Sequence, residues 1–453
     1  MIDGSTGGER LAARFGRFLQ RPGKRTLFAV MAALVCLVGL AQSWSLALAI
    51  LNLCLISAIM TLGVNIQWGY AGLFNAGVMG FAALGGLAGV LVSMPPVNDA
   101  WRAGGAGVVL ALVIALLTIF GAVLAIRRIE RPGRRKLAVA LVLAAGYLAA
   151  RALFEPAVRA IEAVDPSRTG YLGGFGLPII LSWIVGGALA AGAAWAVGKI
   201  SLGLRSDYLA IATLGISEII VAFLKYEEWL ARGVKNVNGL PRPVPYEVDL
   251  QNALWFREWA ESLGVSHVDL SSIAVKVCYA GLFAIVLAAL MWLFQAALRA
   301  PWGRMMRAIR DNETAAGAMG KDVTARHMQV FVLGSAVVGI AGAMLTTLDG
   351  QFTPTTYQPL RFTFLIWVMV IVGGSGNNWG SVLGGFVVWY FWVEAEPMGL
   401  WFMDFLTSPL SPDNPLRIHL LDSAAHMRLV VMGLVLLLVL RFAPRGLIPE
   451  ERR

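Results

Sequence analysis

The chain has 453 residues, of which 58% are hydrophobic and 14% charged, with a net charge of +10. Soluble domains carry about 25% charged residues, so the composition excludes a soluble globular protein. The apolar runs are continuous rather than alternating, which argues against a β-barrel. The basic residues lie beside apolar runs, as juxtamembrane charges do, so the positive charge does not indicate a nucleic-acid partner.

Apolar runs long enough to cross a bilayer recur from end to end of the chain. They predict an all-α fold, a polytopic transmembrane helix bundle of about 10–12 spans, some of them interrupted. Residues 1–26 are expected to form a basic cytosolic tail before a transmembrane domain at 27–448. The predicted segments are 27–43, 45–67, 72–93, 104–126, 137–154, 178–199, 206–225, 273–297, 328–348, 362–375, 379–397 and 427–442.

The charges of the connecting loops predict the orientation of the chain. With the N-terminus inside, the segments place the basic loops 127–136 and 299–326 and the tail 449–453 in the cytosol. They place the acid-leaning loop 226–272 in the periplasm, as the positive-inside rule requires. An error of two spans in the count would leave this orientation unchanged.

The predicted periplasmic loop contains four large apolar residues at helical spacing, Leu254, Trp255, Trp259 and Leu263. This pattern is typical of an interfacial helix with aromatic anchors. A docking surface for a molecule arriving from outside is the alternative.

Two apolar segments contain several glycines and asparagines, at 63–77 and 373–385. Backbone released from a helix leaves polar groups that lipid cannot satisfy. The two stretches are therefore predicted to be interrupted spans that line a substrate pathway, one in each half of the chain. Tight extramembrane hairpins are the alternative for both.

Other unusual residues inside the predicted spans are one acid and two glycine pairs. Glu218 is the clearest ionisable residue, and it is a functional candidate by default. Because it falls near a predicted outer end, an interfacial or helix-pairing role is the alternative. The pairs 85/89 and 380/384 predict close helix contacts. The candidate pathway residues are Asn65, Gly69, Tyr70, Gly72, Asn75, Thr213, Glu218, Gly374 and Asn377.

Residues 301–320 form a basic, helix-prone stretch that is too charged to span a membrane. On a helix, Arg304, Arg307 and Asp311 share one face. Met305, Ala308 and Ile309 lie roughly opposite. Asn312 can cap a helix, and Gly320 suits a left-handed position at a helix end. We interpret the stretch as a segment that a membrane-embedded body presents to a soluble partner.

The sequence lacks the patterns of enzyme active sites. No histidine has a partner at a zinc-site spacing, and no nucleophile and base are paired. The glycine-containing stretch 192–200 has one residue too many for a phosphate loop and lacks its Ser or Thr. The chain is therefore expected to be no enzyme and to bind no cofactor, and ATP and Mg²⁺ would have to be bound by other subunits.

Several stretches resemble the permeases of bacterial branched-chain amino acid ABC importers, and most closely the M-type (LivM-like) member of the permease pair. The resemblance covers roughly residues 44–93 and 178–448. The stretches that carry it are 303–320, 331–344, 372–385, Gly-Tyr-Ala-Gly at 69–72, 204–214 and 441–447.

The resemblance implies that 301–320 docks in a cleft on an ATPase. The cytoplasmic loop of such permeases carries Glu-Ala-Ala-x-x-x-Gly, and Thr-Ala-Ala-Gly-Ala-Met-Gly at 314–320 keeps the alanines and the last glycine. Thr replaces the Glu, and a basic amphipathic helix lying on lipid is the alternative. The implied ATPase-coupling residues are Gly303, Arg304, Arg307, Arg310, Asp311, Asn312, Glu313, Ala315, Ala316 and Gly320.

The resemblance also implies the partners of the chain. They are a homologous second permease, two ATPase subunits, a periplasmic substrate-binding protein and the lipid of a bacterial inner membrane, with both termini cytoplasmic. The chain departs from the family pattern at Leu73, Asn75 and Val78, where Gln, Ser and His are common. Residues 94–177 are expected to be a peripheral insertion.

Two other classes of function are open at this point. A secondary transporter or channel working alone would follow an ion gradient, and the scarcity of buried acids argues against it. An intramembrane enzyme is disfavoured by the scattered histidines. If the chain is a permease, urea, amides and other small amino acids are alternative substrates.

Overall fold

The apolar runs form helices, as the sequence predicts, because a helix satisfies its backbone polar groups internally. The computed structural model describes residues 23–411 and 414–450, except for the side chain at 425. The helices are α1 (Lys24–Ala41), α2 (Trp44–Ala71), α3 (Val78–Ser93), α4 (Asn98–Arg128, with a π-helical turn at Trp101–Gly105), α5 (Pro132–Glu162), α6 (Ile180–Ser201), α7 (Ser206–Tyr226), α8 (Glu228–Ala231), α9 (Glu247–Asn252), α10 (Leu254–Ser262), α11 (His267–Arg299), α12 (Pro301–Asp311), α13 (Glu313–Ala318), α14 (Val323–Asp349), α15 (Pro359–Gly373), α16 (Asn378–Thr407), α17 (Pro415–Asp422) and α18 (Met427–Phe442). Most of the predicted tail, 1–22, and residues 451–453 lie outside the described part.

Each of the twelve predicted segments overlaps one of these helices, so the all-α, polytopic fold is confirmed. Among the described residues, eight helices are long and apolar enough to cross a membrane, or nine if the bent pair α17 and α18 counts as one span. Helices α3 and α15 are apolar but only 16 and 15 residues long.

Helices α2 and α14 form the centre of the bundle and are largely buried. Glycines allow their backbones to approach those of neighbouring helices. A Cβ added at Gly85 of α3 would lie 1.9 Å from the Gly339 carbonyl oxygen of α14, and one at Gly384 would lie 1.9 Å from the Met369 carbonyl oxygen. The predicted close helix contacts of the two glycine pairs are therefore present.

The interruptions are shorter than predicted, and this corrects the interpretation of 63–77 and 373–385 as broken spans. Helix α2 runs unbroken through Ala71, and only residues 72–77 leave the helix. Gly63 serves packing instead, because a Cβ there would lie 2.6 Å from the Gly334 carbonyl oxygen. In the second stretch only residues 374–377 leave the helix, and they form the tight turn of the hairpin alternative.

Helices α4 and α5 lie outside the main core and pack mainly against each other. A cluster around Ile161 and Trp229 joins the pair to the rest of the chain. The two ends of this excursion meet, because Pro96 and Gly173 form an antiparallel bridge and the Val97 N–H donates to the Leu172 carbonyl oxygen at 3.1 Å.

The loop between α7 and α11 folds into short elements. Strand β1 (Val237–Asn238) pairs antiparallel with β2 (Gln351–Phe352). Helix α10 has the predicted helical spacing and buries Phe256 and Ala260. Its other large apolar residues are exposed: Leu254, Trp255, Trp259 and, just beyond the helix, Leu263.

Candidate functional site

Helix α12 folds back on the end of α11 and buries one narrow stripe. Gly303, Met306 and Ile309 are buried at a spacing of three residues. Residue 303 has no room for a side chain, since a Cβ there would lie 2.3 Å from the Leu298 carbonyl oxygen. Of the three residues predicted to lie opposite the charged face, Ile309 belongs to this stripe and Ala308 is exposed. The buried stripe is set by the contact with α11, which the sequence pattern of α12 alone does not contain.

Arg310 of α12 points into the protein and joins three segments. Its guanidinium donates to the Gly69 carbonyl oxygen near the end of α2, and it forms an ion pair with Glu450 at 3.1 Å. It also contacts the Asp311 carboxylate at 3.2 Å. The last carbonyls of a helix have no partner within it, and a cation there is favourable. Arg310 therefore caps α2 from a segment 241 residues away.

The other charged residues of α12 are directed differently. Arg304 is exposed, and its one hydrogen bond in the described residues goes to the Arg299 carbonyl oxygen at 3.4 Å. A cavity of about 1280 Å³ is lined by all four charged residues of α12, Arg304, Arg307, Arg310 and Asp311, together with Tyr70 and Asn377. The wall of this cavity therefore contains predicted coupling residues and predicted pathway residues.

Helix α13 projects from the bundle. Asn312 caps it, accepting a hydrogen bond from the Ala315 N–H at 2.9 Å. Gly320 ends the segment with φ +77°, the left-handed conformation predicted for it. The side chains of Glu313 and Ala315 are exposed, and that of Ala316 is partly buried. This small-residue helix is thus open to a partner.

The non-helical residues 72–77 are satisfied by buried polar side chains. Gln67 binds the Phe331 carbonyl oxygen at 2.8 Å and accepts from the Asn75 amide at 3.0 Å. The Thr213 hydroxyl accepts from the Ala76 N–H at 3.0 Å. The Trp367 indole donates to the Asn75 carbonyl oxygen at 3.1 Å. The polar groups of this non-helical backbone are therefore paired within the protein, as backbone shielded from water must be.

Two residues of this network, Gln67 and Trp367, are absent from the predicted pathway set. A signal for Gln67 exists, since it is a polar residue inside an otherwise apolar helix. Trp367 has none, because a tryptophan in an apolar helix is ordinary and its hydrogen bond crosses 292 positions of sequence.

The turn at 374–377 lies against the end of α2. The Gly376 N–H donates to the Asn65 side-chain oxygen at 2.9 Å, and the Asn65 amide donates to Asn378 at 3.1 Å. The Asn377 amide donates to the Pro449 carbonyl oxygen at 3.0 Å. Gly374 and Asn377 therefore lie at helix ends, on the side of the bundle that carries α12. The expectation that they interrupt the middle of a span is wrong, because the polar residues there form a turn.

The remaining predicted pathway residues fall into two groups. Gly69 and Tyr70 are buried beside the turn, and Gly72 ends α2 in the left-handed conformation with φ +72°. Glu218 lies apart from them on the exposed side of α7. It lies eight residues before the end of that helix, about 12 Å at 1.5 Å per residue. The predicted segment 206–225 places it seven residues from the outer end, which α7 matches to within one residue.

In residues 23–411 and 414–450, no three His, Cys, Asp or Glu side chains are grouped to hold a metal ion. The geometry described above is that of a helix bundle with an exposed helical segment. That segment is tied through Arg310 to the interior. Such an arrangement can transmit a movement, and it shows no constellation of acid, base and nucleophile among the side chains named above.

Comparison with known proteins gives a consistent result. A family model described as the permease component of branched-chain amino acid transport systems matches residues 129–440. This range includes α5, within the predicted insertion, and leaves out 44–93. No solved structure matches.

Similar individual proteins carry related names. A probable branched-chain amino acid transport permease protein LivM of Methanocaldococcus jannaschii is 26% identical over 280 residues, which is 61% of this chain and 68% of that protein. The high-affinity branched-chain amino acid transport system permease protein LivM of Salmonella typhimurium is 26% identical over 200 residues, 44% of this chain and 46% of that one. A probable LivH permease protein of Methanocaldococcus jannaschii is 26% identical over 124 residues, 27% of this chain and 38% of that one. The alignment thus spans less than half of the second and third relatives.

Proposed function

Since this chain belongs to the family of permease components of branched-chain amino acid transport systems, we propose that it is the permease subunit of an ATP-driven importer for branched-chain or related small amino acids. It is a multi-pass membrane protein without a nucleotide site of its own. ATP and Mg²⁺ are bound by two separate ATPase subunits. A homologous second permease and a substrate-binding protein complete the complex.

The observation that best supports this function is the pairing of α12 with α13. Helix α13 is a short, small-residue helix with its surface free, as a segment that seats in a cleft must be. Helix α12 is anchored by its buried stripe and by Arg310. A displacement of α13 by a bound partner would therefore move α12 and, through Arg310, the end of α2. The coupling role of 301–320 rests on this arrangement.

The choice of partners and location has separate support. Similarity to both a LivM and a LivH protein of one organism favours a pair of related permeases. The loop between α4 and α5 is rich in arginine, and basic loops favour the cytoplasmic side. We therefore assign the chain to the plasma membrane, the inner membrane of a bacterium, with its termini and α13 in the cytoplasm.

A pair of glycine substitutions tests the docking of α13. Gly317 of α13 and Gly203 between α6 and α7 both have open space where a side chain would be added. The two lie on the same side of the bundle, since Gly198 at the end of α6 meets Met328 at the start of α14. Gly317→Trp should abolish both co-purification of the ATPases and ATP-dependent leucine uptake by proteoliposomes. Gly203→Trp should retain both.

The same vesicles separate the proposed function from its alternatives. Leucine uptake that persists without ATP and follows an ion gradient would instead indicate a secondary transporter working alone. If Gly317→Trp behaves like Gly203→Trp, the ATPases do not dock at α13. Calorimetry on the binding protein of the complex distinguishes branched-chain amino acids from urea and amides as substrates.

A further inference from the structure

One ionisable side chain lies on the exposed face of α7, near the middle of the helix. Glu218 is the only Asp, Glu, Lys or Arg between Asp207 and Lys225. It shares an exposed stripe with Ile211 and Ile219, whose side chains are 70% and 68% exposed. Within residues 23–411 and 414–450, Glu218 makes no hydrogen bond or ion pair.

This stripe is not suited to lipid. A helix of 21 residues spans about 31 Å at 1.5 Å per residue, close to the thickness of the hydrocarbon core. With α7 centred in this core, Glu218 lies within a few ångströms of the bilayer centre, where an ionised side chain is costly. Ionisable side chains at this depth face another protein surface or water.

The opposite side of α7 is already occupied by this chain. Thr213 binds the Ala76 N–H in the non-helical residues 72–77, and a Cβ at Gly80 would lie 2.8 Å from the Ser217 Cα atom. Glu218 therefore faces away from the bundle, toward whatever covers this side of the protein. Gly215, on the same stripe, has open space at its Cα atom, which allows a second helix to approach.

The occupant that fits is the second permease. A permease that works as one of a related pair needs an exposed apolar helix face for its partner, and the similarity to both LivM and LivH proteins favours such a pair. An amino acid crossing between two apolar surfaces carries an ammonium group that must be neutralised. A lone carboxylate at this depth provides the charge for that.

We propose that Glu218 lines the substrate path where this chain meets the second permease, and that its carboxylate accepts hydrogen bonds from the ammonium group of the amino acid in transit. The inference rests on the proposed function. It predicts that an ammonium-bearing substrate is favoured over its 2-oxo acid analogue, which carries only negative charge. Glu218 then acts as a specificity-determining residue for the substrate class.

Substitution in the complete complex tests the recognition. Glu218→Gln keeps the shape and removes the charge. A hydrogen bond to a charged group contributes about 1.5–3 kcal/mol, so leucine uptake at saturating loaded binding protein should fall by about ten- to hundred-fold. Glu218→Asp should retain more activity. Ile285, 67% exposed on α11, provides the control. Adding Ile285→Glu to Glu218→Gln should not restore leucine uptake.

Three results would overturn the inference. Unchanged leucine uptake by Glu218→Gln would show that the carboxylate is not used. Loss of the second permease on purification of Glu218→Gln would make Glu218 an assembly residue. For labelling, Cys36 and Cys278, both exposed, are first changed to Ser, and Cys is then introduced at 218 or at 285. If a water-soluble maleimide labels neither Glu218→Cys nor Ile285→Cys, the stripe lies in lipid. Wild-type vesicles that import no amino acid would refute the proposed function itself, whereas labelling at 218 would still report on this face.

Discussion

Arg310→Ala removes the side chain that ties the proposed coupling segment to the interior of the bundle. The substitution breaks the hydrogen bond to the Gly69 carbonyl oxygen and the ion pair with Glu450. It leaves the buried stripe of α12 intact, so the helix should stay in place. We expect a complex that assembles and hydrolyses ATP but transports poorly, because α12 no longer moves the end of α2.

The contacts of Arg310 determine how much free energy the substitution removes. A hydrogen bond from a charged donor to a partly buried carbonyl contributes about 1.5–3 kcal/mol. The ion pair adds only about 0.2–1 kcal/mol, because the Arg310 and Glu450 side chains are 23% and 29% exposed. A loss of about 2 kcal/mol or more corresponds to a roughly 30-fold increase in local opening at the end of α2.

Hydrogen exchange at the amides of Gly72 and Leu73 measures this opening. Both donate to the last turn of α2, to the carbonyl oxygens of Trp68 and Gln67 at 2.9 Å, and their exchange should accelerate by the same factor. Arg304→Ala is the matched control, since Arg304 lies on the same helix and is exposed. Equal exchange at Gly72 and Leu73 in the two variants would refute the role assigned to Arg310.

Three further predictions concern stability. Gly85→Ala should lower the melting temperature sharply, because the new Cβ would lie 1.9 Å from a carbonyl oxygen of α14. Gly192→Ala, at a position with open space, should leave the melting temperature unchanged. Equal melting temperatures of the two variants would contradict this. Asn65→Leu leaves two buried polar groups of the α15–α16 turn unpaired and should destabilise by about 2–4 kcal/mol, which a thermal unfolding assay would detect. Replacement of 99–169 by a short Gly-Ser linker should preserve a monodisperse, thermally stable protein, because the ends of this excursion already meet; an aggregated product would show that α4 and α5 are needed for folding.

Features encoded locally are the ones that the sequence predicts. Long apolar runs give helices in the predicted places, because hydrophobic length decides both helix formation and insertion. The Asn312 cap and the left-handed Gly320 are found as expected, since each depends on residues within one turn. The helical spacing in the loop before α11 likewise gives α10.

Features that depend on distant segments are not predicted. The glycine and asparagine residues of 63–71 predict a break in the helix. The amino-acid composition of this stretch cannot distinguish an unwound backbone from a helix that packs closely on its neighbours. Asn65 is explained by a turn 311 residues later. Arg310 was expected to contact a partner, yet its main acceptor is Gly69 of this chain. Such long-range pairs become visible only when helices are placed side by side.

The contacts form a continuous route from the exposed coupling segment to the proposed substrate path. Arg310 holds the end of α2, and the chain leaves that helix at residue 72 to form the non-helical residues 72–77. Thr213 binds that segment from α7, the helix whose other face carries Glu218. Two hydrogen bonds between buried or partly buried groups therefore connect α12 to α7. Spatial continuity alone does not establish coupling; the exchange measurement at Gly72 and Leu73 in Arg310→Ala reads the first of these hydrogen bonds directly. A change there that leaves leucine uptake intact would mean that the movement driving transport enters the bundle elsewhere.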